Sequence, residues 1–363
     1  MPSVRIENAP PTAAIEARLA PDPIRGAVIA GFALYLALLT LAWAAFNRWA
    51  PDRISLHLLG HGLTITQLRR HVLSHALEVI LMFPALFVAE LAITGWEGSS
   101  LRRLAVLRTP SSMSDLACWL LWEVKLMTVL IGIMSLGVGL VSGLWIHDQV
   151  AAITGWSPSA AGWPIWLQLP VLFLVFSFFD YWNHRLDHSA LFWPLHRFHH
   201  AADDFCILSA VRVHPALFTS VITVVGPAVA LGASPEAVFD LTFGTALLRY
   251  VIHSRIDSDF GWIGRYVVQS PTHHRLHHAL DISTRPVGHF SLAPIWDHLF
   301  GTWAGQADQS LAIGVSDAPY RHGAWICPDL WRDYVAFWRG LWRGLIRAGA
   351  KVVIPSAPAS TPS

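Results

Sequence analysis

The chain has 363 residues, of which 54% are hydrophobic and 13% charged, with a mean hydropathy of +0.46. A soluble domain carries about 25% charged residues, so part of this protein's solvent is lipid and a purely soluble body is excluded. The net charge of +1, from 25 basic and 24 acidic residues, excludes the basic footprint of a nucleic-acid binder. The three cysteines, Cys118, Cys206 and Cys327, form no CxxC pair for a zinc ribbon or a disulfide framework.

Residues 1–24 are polar and rich in Pro and Ala, and read as a disordered cytosolic arm without the features of a signal peptide. Apolar runs near 25–47, 76–95, 126–145 and 164–183 are each about long enough to cross a bilayer. Glu123 and Lys125 precede the third run and fit the interface, where a lysine can snorkel. After His200, two apolar stretches, 216–233 and 237–252, flank Pro235 and form a hairpin that enters the membrane and returns His253 to its starting side. The expected fold class is therefore all-α, a polytopic helical bundle.

Loop charges set the orientation. The 146–163 loop has no Lys or Arg and belongs outside, whereas 96–115 carries Arg102, Arg103 and Arg108 and belongs inside. Arg48, Arg53, Arg69 and Arg70 then fall in an outside loop, against the rule. Either 54–75 is a basic interfacial helix or one of the first two spans does not cross. Residues 329–347 repeat Trp331, Tyr334, Val335, Trp338, Leu341, Trp342 and Leu345 at steps of three and four, with Arg332, Arg339, Arg343 and Arg347 opposite. Such a helix lies in the interface plane, or packs on the protein as an ordinary amphipathic helix. Residues 351–363 read as a disordered tail.

Eight histidines fall in three boxes at the edges of apolar segments: His184-Arg-Leu-Asp-His188, His196-Arg-Phe-His199-His200 and His274-Arg-Leu-His277-His278. Neutral imidazole is the commonest nitrogen ligand for a metal, and one tetrahedral ion takes four ligands. Eight rings suit two ions. On a helix, the members of each HxxHH triple lie within an arc of about 100°. Each triple can give two ligands to one metal and one to the other. His253 ends an apolar helix on the same side and makes a ninth ligand. Two redox metals beside a membrane point to oxygen chemistry on a lipid.

A metal-bound histidine usually donates its second N–H to a carboxylate or carbonyl. Asp180, Asp187, Asp203, Asp204, Asp281 and Asp297 cluster near the boxes, and Asp180, four residues before His184 on the same face, is the leading candidate. Arg212, His214 and His273 join Asp180, Asp187 and Asp297 as supporting residues beside the metals. His289 and His298 stay open, and His57, His61, His71 and His75 read as interfacial residues.

These motifs resemble the fatty acid hydroxylase/sterol desaturase superfamily of membrane di-iron enzymes. The resemblance runs over about 120–305 and rests on Asp180-Tyr-Trp-Asn-His-Arg-Leu-Asp-His188, Leu195-His-Arg-Phe-His-His200, Arg212-Val-His-Pro215, Pro271-Thr-His-His-Arg-Leu-His-His278 and Trp296-Asp-His-Leu-Phe-Gly-Thr-Trp303. It implies a catalytic domain at 120–305, between membrane or interfacial helices at 25–119 and an interfacial region at 306–350. It also implies a cytosol-facing non-haem centre of two iron ions held by the eight box histidines, with His253 as the family's further histidine. Val287-Gly-His-Phe290 departs from the family, as do the Ala216 and Leu217 that follow the His-Pro pair.

The resemblance implies hydroxylation of a fatty acyl, sterol or polar lipid by O2, or desaturation at the same site. No GxGxxG follows a strand and no haem domain is appended, so haem and a bound nicotinamide are not expected. Electrons must come from an external donor of ferredoxin or cytochrome b5-like type, and Arg185, Arg197 and Arg275 could meet it, or bind lipid phosphate or nearby carboxylates instead. Three other classes compete: a divalent metal transporter, a b-type haem carrier and a structural scaffold. The boxes sit at helix ends rather than along mid-membrane helices, HxxHH lacks the spacing of paired axial haem ligands, and a scaffold leaves the histidines unexplained.

Overall fold

The computed structural model describes residues 22–58, 61–66, 81–136, 138–217, 226–280, 288–306 and 310–353. The arm at 1–21, His71, His75, Asp281, part of the expected 216–233 stretch and the tail beyond 353 lie outside the described residues. Apart from one hairpin, the described elements are helical, as the sequence indicates. They fall into two compact units: residues 1–108 with 254–257, and residues 109–253 with 258–363.

In the first unit, α1 spans Pro23–Trp49 and is about 40 Å long at 1.5 Å per residue. Asp22 caps it by accepting from Arg25 N at 2.9 Å, and Pro23 fills a position that needs no N–H donor. No residue of α1 is buried, and Leu34, Leu38 and Leu41 stand open, as lipid-facing side chains do. Strands β1 (Arg53–Leu58) and β2 (His61–Thr66) form an antiparallel hairpin pairing Arg53 with Thr66. Over 54–58 and 61–66 this corrects the alternative of an interfacial helix at 54–75, whose part at 67–75 lies outside the described residues: Ile54, Ile65 and Thr64 are β-branched residues that suit a pleated strand. Helix α2 spans Phe83–Gly98 and breaks at Gly95, whose φ of 71° only glycine adopts freely; the freed Trp96 N donates to Asp22. The buried Glu90 of α2 accepts from Ser100 N, Ser100 Oγ and Arg255 N.

The second unit opens with α3 (Pro110–Glu123), capped by Thr109 with Pro110 next to it. Lys125 takes a left-handed φ of 61°, and α4 (Leu126–Ser135) leaves α3 at 74°. A second left-handed residue, Leu136, closes α4, and α5 (Val138–Thr154) follows. The continuous span expected at 126–145 is therefore two helices. Helix α6, Ile165–Asp187, runs unbroken for 23 residues, with Leu172, Phe176 and Tyr181 inward and Leu174, Phe179 and Trp182 outward.

Box two forms α7 (Trp193–His200). Helix α8, Pro235–Ile252, starts at a Ser234 cap followed by Pro235 and packs on α6 through Leu241, Ala237, Leu172 and Phe176. Two short helices follow, α9 (Gly261–Tyr266) and α10 (Pro271–His277), the latter capped by Ser270. They precede α11 (Ile295–Leu299) and the long α12 (Cys327–Val353).

Pro23–Trp49 and Ile165–Asp187 are long and apolar enough to cross a membrane, and α3 with α4 makes a third candidate if the bent pair is one span. Residues 76–80 of the expected 76–95 span lie outside the described residues, and its described part includes α2, Phe83–Gly98.

Candidate metal centre

Box one ends α6, box two is α7, box three is α10, and His253 closes α8. The four pieces converge. His184, His188, His196, His200 and His277 form one group and His199, His253, His274 and His278 another; within each group the ligating nitrogens all lie within 4.8 Å of one another. Box two sends His196 and His200 to the first group and His199 to the second, while box three sends His277 to the first and His274 and His278 to the second. The two groups are therefore neighbours on shared helices, and His200 stacks on His278 with ring centroids 4.2 Å apart.

The ring geometry suits a cation. His184 turns Nδ1 to Phe290 O, His277 to Gly288 O and His253 to Arg249 O, each at 2.7 Å. A carbonyl only accepts, so Nδ1 carries the proton and Nε2 the lone pair. Yet Nε2 of His184 lies 3.0 Å from Nε2 of His277. Two acceptors that close repel unless a cation lies between them. The other nitrogen pairs in close contact within the groups are 2.9 Å (His253 to His274) to 3.4 Å (His199 to His253) apart. Nitrogens held at about 2.0–2.1 Å from one ion are about 3.0–3.4 Å apart, the same range.

Electrostatics agree. Burial first, then the charge of neighbouring imidazoles, holds His196, His200, His274 and His278 well below the usual histidine range. Burial takes His253 down to about 3. The rings are neutral at pH 7, the form that binds metal.

The carbonyls that orient these rings sit on a loop built by the Trp-Asp-x-x-Phe-Gly-Thr segment. Asp297 is fully buried and accepts from Phe290 N, Ser291 N and Thr302 Oγ1 at 2.9, 3.2 and 2.7 Å. Tyr181, one turn below His184, pairs its hydroxyl with Thr302 at 3.1 Å. Gly288 touches the chain so closely that a Cβ there would strike Thr302 O.

Several expected supporting residues lie elsewhere. Asp180 does not serve His184, whose Nδ1 faces a carbonyl; it accepts from Arg249 at 2.7 Å. Asp187 accepts from Asn183. Arg212 is fully buried against Asp115 and the Ser111 carbonyl, where it ties α3 to the segment after box two. His214 points to Leu330 O on α12. His273 faces away from both groups, toward Ser270 Oγ, and stacks on His289. His289 holds a φ of 62° in that stack, and His298 faces Arg265 O.

Arg197 pairs with Asp333 and Asp317, and Arg275 is buried, so of the three box arginines only Arg185 is open to a partner. Helix α12 docks on α7 through Asp333, Tyr334 and Phe337, while Trp331, Trp338 and Trp342 face outward. The single apolar stripe expected there is thus divided between two faces. The residues missed by sequence reasoning are Arg249 and the loop carbonyls of Gly288 and Phe290. A backbone acceptor has no residue signature.

Comparison with known proteins places residues 169–302 on the family model for fatty acid hydroxylase. That stretch holds all nine converging histidines and ends at Thr302. The chain is 26% identical over 207 residues to alkylglycerol monooxygenase of Danio rerio, covering 56% of this chain and 44% of that protein. The human alkylglycerol monooxygenase is 29% identical over 139 residues (38% of this chain, 31% of that protein), and that of Xenopus tropicalis 25% over 177 residues (48% and 38%). The chain thus spans less than half the length of these curated relatives. No solved structure gives a significant match. Through residues 169–302, the segment that carries its histidine boxes, the chain is similar to the fatty acid hydroxylase family and to the alkylglycerol monooxygenases.

Proposed function

We propose that this protein is a membrane-bound monooxygenase that hydroxylates a lipid with O2, using two iron ions held on the cytosolic side. The observation that carries the reading is the division of nine imidazoles, six buried and three half-buried, into adjacent groups of five and four, with Nε2 atoms turned inward. Its relatives' names as monooxygenases favour hydroxylation over desaturation. The net reaction takes a lipid C–H bond, O2, two electrons and two protons to a C–OH bond and water.

His184, His188, His196, His200 and His277 would hold one ion, and His199, His253, His274 and His278 the other. The ions supply oxygen activation and the removal of hydrogen from an unactivated C–H bond. The chain's own task is positional. Carbonyls of Phe290, Gly288 and Arg249 fix which nitrogen of His184, His277 and His253 carries the proton. Burial keeps the rings neutral and excludes water. The outward apolar face of α6 borders the lipid from which a substrate arrives. Electrons come from a separate ferredoxin or cytochrome b5-like donor.

Metal analysis and an optical spectrum of the purified protein test this reading. About two irons per chain and no Soret band are expected. Changing His199 and His277 to Ala together should strip the metal, and its retention would remove those boxes from the site. Comparing cell lipids with and without the gene should show a mass gain of one oxygen in one lipid class.

A further inference from the structure

The two halves of α12 differ in what they touch. The first is anchored: Asp333 pairs with Arg197 of α7, and Tyr334 and Phe337 pack with Phe192 and Leu195. In the second, every residue from Trp338 to Arg347 except the half-buried Leu341 is exposed. A step of four residues turns a helix by about 40°, so Arg339, Arg343 and Arg347 form one column and Trp338, Trp342 and Ile346 the column beside it. The carboxylates of α12, Asp329 and Asp333, are buried near its start and engage Arg332 and Arg197. None of the three column arginines has an ion-pair or hydrogen-bond partner among the described residues.

A cavity of about 460 Å³ lies between this half of the helix and the turn that follows box one. Its apolar walls are Ala190 and Leu191 on that turn and Leu341 and Leu345 on α12. On the helix, Gly340 and Gly344 lie between those leucines and Arg343 and Arg347, which complete the lining. A Cβ on either glycine would meet nothing within 4 Å, so the space above them is open. The volume falls within the range of about 300–1,000 Å³ typical of small-molecule sites.

We propose that this groove holds one anionic phospholipid, with an acyl chain along Leu191, Leu341, Gly344 and Leu345 and the phosphate on Arg343 and Arg347. An apolar trough edged by guanidiniums matches a ligand that is apolar along its length and anionic at one end. Arginine grips phosphate through parallel N–H donors, and each basic residue on a membrane-surface helix raises affinity for an anionic bilayer by about fivefold. A neutral lipid would leave both charges unanswered. The Gly340-x-x-x-Gly344 spacing also fits a second copy of this helix, but that copy would set Arg343 and Arg347 against their own counterparts, like charge on like. The proposal asks only that the chain lies in a bilayer and is independent of the chemistry at the histidines.

The test takes the full-length protein from nanodiscs that mix phosphatidylglycerol with phosphatidylcholine of the same chains, and counts the lipids it retains by native mass spectrometry. Wild type should retain one phosphatidylglycerol in preference to phosphatidylcholine. Glycerol 3-phosphate, which has the charge without the chains, should not displace it. R343Q/R347Q should weaken retention by about 30-fold, the product of two losses of about fivefold. Gly344→Leu, which fills the groove and keeps both arginines, should remove it as well, whereas R339Q, on the same column but outside the groove, should cost far less than R343Q. All variants should keep the wild-type melting temperature, because they alter exposed positions. Equal retention of the two lipids overturns the proposal, as does displacement by glycerol 3-phosphate, which would make this a site for a soluble phosphate. A loss in R339Q as large as in R343Q overturns it too, leaving only diffuse attraction to a charged surface. A dimer that Gly344→Leu dissociates would give the groove to a second copy instead.

Discussion

His184 and His277, 93 residues apart in sequence, bring their Nε2 atoms to 3.0 Å, and both rings hang their Nδ1 protons on one loop, at Phe290 O and Gly288 O. The loop thus sets the aim of two inward nitrogens in the group of five.

That relationship makes Gly288 a sensitive position. A Cβ at 288 would meet the Thr302 carbonyl and Ala304 Cβ, so the backbone must move and take the Gly288 carbonyl with it. Gly288→Ala should weaken metal binding by about 10–100-fold, the usual cost of losing the partner that orients a ligand histidine. Competition against a chelator measures this. Unchanged affinity would mean that the carbonyl does not aim His277.

Asp297 holds the same loop from behind. Asp297→Ala leaves the donors of Phe290, Ser291 and Thr302 without their acceptor in a buried site. Each orphaned donor costs about 1–3 kcal/mol. The metal-free variant should unfold at clearly lower denaturant than wild type, and Thr302→Val should show a smaller loss. Equal stability of Asp297→Ala and wild type would show that water replaces the carboxylate.

The sequence made the histidines legible because a metal needs a particular side chain at a particular spacing. His196, His199 and His200 carry that requirement in their order alone. It also made α1 and α6 legible, because lipid exposure needs long unbroken apolarity. The break at Leu136 was not legible: its left-handed φ of 49° lies inside an uncharged run that hydropathy reads as continuous. Helix starts were written more clearly than the spans drawn from hydropathy indicate. Asp22-Pro23, Thr109-Pro110, Ser234-Pro235 and Ser270-Pro271 each place a capping side chain before a proline. The partners of the ligands were hidden, since Asp180 chose Arg249 and the second N–H of His184 chose a carbonyl.

Arg212 and Asp115 form a pair with no exposure on either side chain, 2.6 Å apart, and Ser209 adds its hydroxyl to the same carboxylate. Removing one partner of such a pair strands a buried charge, at about 3–5 kcal/mol. Asp115→Ala should therefore destabilise strongly, whereas the Arg212→Met/Asp115→Leu double variant should recover most of the loss. A double-mutant cycle in denaturant separates the two. Additive effects would show that the ion pair contributes nothing as a pair.

The buried rings also fix how stability depends on pH. In the unfolded chain histidines protonate near pH 6.5, while burial holds His253 at about 3 and keeps His196, His200, His274 and His278 well below the usual range. As pH falls below about 6.5 the unfolded state binds protons that the folded state refuses, so stability drops. Above that value both states are neutral at these rings and the contribution is complete. The metal-free protein should thus lose stability steadily from pH 7 to pH 5, and chelator-resistant metal should be released over the same window because protons and metal compete for the same nitrogens. Denaturation midpoints measured across that range decide it. A flat profile would mean that the rings are already solvated and charged in the folded protein, and that they do not converge as neutral ligands.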